Sequence, residues 1–181
     1  KYANGLDDDP VRAYDSCEDI KSVGHGMTFR RNLRGVDDVG LALTELTDKV
    51  STRLRRHEKW ARGVKVELTT PEFKRLSRQK RLPSPINSPA AFRNTAFELI
   101  KELNYINKPI RLLTVTAIDL TDSPDGGQLT IFTMGASTNE NNQNEKDENI
   151  AKAMDEIRDK FGKSSIKFAH VIGNDIGIDE D

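Results

Sequence analysis

Between Leu54 and Val64 the spacing of the apolar residues switches from a helical to an extended period, and no other feature constrains the fold as much. Val39, Leu43, Leu46, Val50 and Leu54 fall at steps of four, three, four and four, which places them on one face of a helix. Asp37 and Asp38 stand at its start, where carboxylates cap and complement the positive end, and the pattern predicts a helix to about Trp60. From Arg62 the period is two: Val64, Val66 and Leu68 alternate with Lys65, Glu67 and Thr69, a half-buried strand that stops at Thr70-Pro71. The same alternation over Lys21 to Arg34 puts Met27 and Phe29 on one face and Thr28 and Arg30 on the other. Gly24 and Gly26 in that stretch permit close backbone approach.

Phe73 to Leu82, FKRLSRQKRL, reads as a third strand, and LPSPINSP as a loop. Ser88-Pro89 is a cap followed by a first-turn proline, and Phe92, Ala96, Leu99, Ile100 and Leu103 form a second helical face. Ile110 to Asp119 reads as a last, largely buried strand. The order strand, helix, strand, strand, helix, strand predicts an α+β fold: a four-stranded sheet with two helices on one face, in a split βαβ arrangement over residues 21–120. Residues 1–20 read as a linker, with Asp7, Asp8 and Asp9 before Pro10. Residues 121–149 read as a flexible polar segment holding the short apolar island QLTIF. Residues 150–181 read as an amphipathic helix ended by Gly162, with an acidic, frayed tail.

Charge is unevenly distributed. The net charge is only -1, yet residues 21–119 carry 20 basic and 10 acidic side chains between two acidic flanks. Lys74, Arg75, Arg78, Lys80 and Arg81 crowd the third strand with no acid among them, so they repel one another unless a polyanion or solvent screens them. Nucleic acid is the leading partner class. An RNA-recognition module shares the element order, but it stacks bases on aromatics, and the first and third strands offer only Phe29 and Phe73. Cation-rich strands instead fit contact with duplex phosphates.

Catalytic chemistry is not legible. His25, His57 and His170 lack partners at metal-ligand spacing, and Cys17 lies among carboxylates with no adjacent base. A single cysteine and the absence of a membrane-length apolar run fit a soluble cytoplasmic chain. The chain opens on Lys1 within a polar stretch and reads as part of a longer protein.

NGLDDDPV, KSVGHGMTF followed by RRNL, RGVKVELTT, FKRLSRQKRL, Ser88-Pro89 and IRLLTVTAIDL together resemble the C-terminal little finger domain of Y-family translesion DNA polymerases of the UmuC/ImpB/MucB/SamB type, over roughly residues 4–120. QLTIF is similar to the Gln-Leu-x-Leu-Phe peptide that docks on the bacterial sliding clamp, although from the residues alone it fits an edge strand equally well. RDKFGKSSIKFA looks like a C-terminal segment of UmuC-like members in Gram-positive bacteria. The resemblance implies a domain tethered to a polymerase core and lying along the primer-template duplex in SOS-type lesion bypass and DNA repair.

The implied phosphate contacts are Lys21, Ser22, Gly24, Gly26, Thr28, Arg30, Arg62, Ser77, Arg78 and Lys80, and the implied clamp contacts are Gln128, Leu129, Ile131 and Phe132. The catalytic carboxylates and their Mg2+ belong to the family's palm domain, so this chain is not expected to synthesise DNA alone. His25 and Thr114 depart from the family pattern, the latter from a common Gly, and Ile131 stands in place of Leu.

Overall fold

A computed structural model describes residues 2–6, 10, 20–123, 138–162 and 164–178. Four strands form one antiparallel sheet: β1 (Val23–Leu33), β2 (Trp60–Thr69), β3 (Arg75–Ile86) and β4 (Ile110–Thr121), in the order β1-β4-β2-β3. Helices α1 (Gly35–Arg56) and α2 (Pro89–Glu102) cover one face, and α3 (Thr138–Phe161) lies towards the C-terminus. Because β4 is antiparallel to both neighbours, β1 and β2 run parallel with β4 between them, which is the split βαβ arrangement expected.

The core sits between sheet and helices. Val39, Leu43, Leu46, Val50 and Leu54 of α1 and Phe92, Leu99 and Ile100 of α2 bury against Val64, Val66 and Leu68 of β2 and Leu113, Val115 and Ala117 of β4. These are the residues of the two helical stripes and the alternating strands, as the hydrophobic period requires. Ser88 caps α2 by accepting the Ala91 N–H at 3.4 Å, with Pro89 in the first turn. At α1 the capping residue is Arg34, whose N–H donates to the Asp38 carboxylate at 2.8 Å.

Several boundaries differ from expectation. Helix α1 stops at Arg56 rather than near Trp60, because His57 and Glu58, the latter at φ 51°, turn the chain so that Trp60 opens β2. Strand β3 begins at Arg75 and continues through Pro83 and Pro85, residues expected in a loop. Proline is tolerated there because β3 is an edge strand and because the pairing shifts between Ala61↔Ile86 and Gly63↔Arg81, which leaves a bulge. Helix α3 starts at Thr138, within a polar stretch expected to be flexible; from there to Phe161 no proline or glycine interrupts it.

The largest correction concerns the C-terminal tail, which is packed rather than frayed. Val171, Ile176 and Ile178 are buried with the core, and the Ile176 carbonyl accepts the Arg30 N–H at 3.2 Å on the free side of β1. Asn174 organises the turn: its Oδ1 accepts the N–H groups of Ile176, Gly177 and Ile178, and its Nδ2 donates to the Val171 carbonyl. The edge of β1 is thereby covered in part.

Helix α3 docks on α1 through ion pairs. Arg55 Nε meets Asp155 at 2.7 Å, Arg158 meets Asp48 at 2.9 Å, and Arg56 meets Asp159 at 2.7 Å. Burial pushes the Asp48 carboxyl up, against the pull of the Arg158 guanidinium. Among the described residues no helix is long and apolar enough to cross a membrane.

Candidate nucleic-acid interface

The sheet has one face covered by α1 and α2 and one face open, and register decides which side chains reach the open one. Three rows cross all four strands on that face: Gly24, Thr116, Lys65 and Gln79; Gly26, Thr114, Glu67 and Ser77; and Thr28, Leu112, Thr69 and Arg75. A shorter fourth row joins Ile118, Gly63 and Arg81. No aromatic ring stands in these rows, and Phe29 is only 6% exposed, packed into the core. A base-stacking platform of the RNA-recognition kind is therefore not built across the sheet.

Gly24 and Gly26 make room for threonines. A Cβ on Gly24 would stand 2.8 Å from Thr116 Oγ1, and one on Gly26 would stand 2.2 Å from Thr114 Oγ1. The space that side chains on these glycines would need thus holds two hydroxyls, each able to donate a hydrogen bond. On the helix side of β1, Arg53 donates to the Gly24 carbonyl at 3.0 Å.

The residues singled out from sequence are divided by the sheet. Lys21 and Ser22 are exposed just ahead of β1, and Gly24, Gly26, Thr28, Arg30 and Ser77 share the alternation of the open face. Arg62 lies at the β2 irregularity, with a buried Nε that has no hydrogen-bond partner among the described residues. Arg78 and Lys80 are on the other side: they stand opposite Val66 and Val64, whose side chains enter the core. There Arg78 pairs with Glu102, and Lys80 with Glu98 at 3.0 Å, both acids on α2.

The implied phosphate contacts did not include Lys65, Arg75, Gln79, Arg81, Thr114 and Thr116, which the register places on the open face. The signal was present. Leu76 and Leu82 have the parity of Arg78 and Lys80, and an apolar residue on a half-covered strand marks the covered side. Gln128, Leu129, Ile131 and Phe132 lie outside the described residues.

At the far end of β1, the Arg31 guanidinium bridges two acids. It reaches Asp38 of α1 at 2.5 and 2.9 Å and Asp175 of the tail at 2.6 Å through two nitrogens. Arg31 holds both carboxyls below the usual carboxylate range, and they raise the guanidinium in turn. Cations on the open face are only partly answered: Lys65 meets Glu67 at 3.1 Å and Arg81 meets Asp119 at 3.6 Å, while Arg75 makes no ion pair among the described residues.

The impB/mucB/samB family C-terminal domain matches residues 20–131, which contain the whole sheet and both covering helices. A DNA polymerase IV of Acetivibrio thermocellus is 30% identical over 167 residues, 92% of this chain and 40% of that protein. A DNA polymerase IV of Clostridium kluyveri is 27% identical over 95% of this chain and 42% of its own length. The chain thus spans about two fifths of the curated relatives it matches. Among solved structures, a post-insertion binary complex of Dbh DNA polymerase shares the fold at a TM-score of 0.50 and 17% identity, over 56% of this chain and 29% of that one. A Y-family chimera of Dbh and Dpo4 shares it at 0.51 and 19%, over 67% and 33%. Match, element order and sheet agree, and the chain belongs to the impB/mucB/samB family through its C-terminal domain at residues 20–131.

Proposed function

We propose that this chain is the little finger of a translesion DNA polymerase and holds primer-template duplex by its phosphates. The observation that carries the reading is the open face, where Lys65, Arg75 and Arg81 stand among the hydroxyls and amide of Thr28, Ser77, Gln79, Thr114 and Thr116. Cations with short hydrogen-bond donors and no base-reading aromatics suit a sequence-tolerant backbone grip. Lys21, Ser22, Gly24, Gly26, Arg30 and Arg62 flank or complete that surface. Arg78 and Lys80 hold β3 to α2 through Glu102 and Glu98, so their part in the grip is indirect.

In the same reading, Gln128, Leu129, Ile131 and Phe132 dock on the sliding clamp, and the linked contacts raise the local concentration of the domain near the template. The carboxylates and Mg2+ of nucleotidyl transfer belong to the polymerase core, with which this domain works in cytoplasmic, SOS-type lesion bypass. Titration of a labelled primed duplex at rising salt tests the DNA contact. Affinity should fall steeply with salt and vary little with sequence. Affinity that is insensitive to salt, or higher for single-stranded RNA than for duplex DNA, would contradict it. Loss of clamp pull-down on Leu129→Ala with Phe132→Ala, with DNA binding retained, would support the docking peptide; retained pull-down would refute it.

A further inference from the structure

The β2–β3 hairpin carries a residue that the fold alone does not explain. Thr70 accepts the Phe73 N–H and donates its own N–H to the Lys74 carbonyl, each at 2.9 Å, closing a turn of Pro71, Glu72 and Phe73. Phe73 adopts φ 61°, the left-handed conformation that such a turn ordinarily gives to glycine or asparagine. It is also 71% exposed. A bulky side chain there takes on both backbone strain and exposed apolar surface, and strain of this kind gathers at functional sites.

Its surroundings are cationic. The Arg111 guanidinium lies over the ring at 5.1 Å from the centroid, and Lys74 and Arg75 follow in sequence. Glu72, the one carboxylate of the turn, is held by the Thr70 hydroxyl, which keeps it below the usual carboxylate range. Thr69 and Arg75, which flank the turn, end the open-face row that begins at Thr28. An aromatic ring backed by arginine at the end of a phosphate-gripping surface has the elements of a single-strand stacking site.

We propose that Phe73, supported by Arg111, stacks an unpaired nucleobase where a duplex held on the open face passes into single strand. This inference rests on the duplex-binding reading above. The test compares the 181-residue chain and its variants on a blunt duplex and on the same duplex with a 5′ overhang carrying 2-aminopurine. Phe73→Gly removes the ring and relieves the backbone, so its melting temperature should hold or rise.

That variant should bind the overhang duplex about tenfold more weakly and the blunt duplex unchanged. Phe73→Trp should restore both the affinity and the 2-aminopurine quenching. Equal wild-type affinity for blunt and overhang duplexes, or an equal loss on both in Phe73→Gly, overturns the stacking site while leaving the phosphate grip standing. Binding to neither duplex overturns the grip as well.

Discussion

Gly26 and Thr114 face each other across β1 and β4, and the threonine hydroxyl occupies the space that a Cβ on the glycine would need, 2.2 Å from it. The contact belongs to the β4 side chain, so the pair is held by shape. Gly26→Ala should destabilise the fold by about 1–3 kcal/mol, as overpacking does. Adding Thr114→Ala should restore most of that loss in a denaturant titration, because of the three atoms nearest the new Cβ only the Thr114 Cβ, at 3.1 Å, would remain. Additive losses in the double variant would show that the two positions do not share one space.

Ile176 tests whether the tail is part of the fold. Its side chain is fully buried, and its carbonyl takes the Arg30 N–H. Ile176→Ala should cost about 2–5 kcal/mol in chemical denaturation. An unchanged midpoint would mean that the tail does not bury there in solution.

Arg31 links that tail to α1, and its pH dependence has a fixed sign. Asp38 is held below its ordinary 3.8 first by the Arg31 hydrogen bonds, so its contribution is present above that value and lost as pH falls through the lowered one. Arg31→Met should therefore be less stable than the parent at neutral pH, with a gap that closes below about pH 4. Thermal melts across pH 7 to 2 read it directly. A gap constant with pH would remove the carboxylates from the account.

Much of the sheet and both covering helices were legible because hydrophobic period reports which face is buried. Leu43, Leu46 and Val50 belong to the helix, and Val64, Val66 and Leu68 to the strand, on spacing alone. The site was less legible, since charge density locates a strand but not the side of it that faces out. Arg78 and Lys80 are among the implied phosphate contacts, and their pairing with Glu102 and Glu98 depends on how α2 packs over β3. The tail reads as frayed because two isoleucines among acids and glycines carry too little periodicity to mark a buried segment, and their burial is set by Asn174 and by the edge of β1.

The central claim is that the open face of the sheet, and not its helix-covered face, grips the duplex. Two charge reversals measured on one primed duplex over a salt series separate the faces: Arg75→Glu with Arg81→Glu, against Arg78→Glu with Lys80→Glu. The open-face pair should weaken binding to every sequence about equally and flatten the dependence of affinity on salt, because fewer counterions are released. The helix-face pair should chiefly lower stability, since it sets like charges against Glu102 and Glu98, and should leave the salt slope near that of the parent. A flattened slope in the helix-face pair with an unchanged slope in the open-face pair would contradict the account.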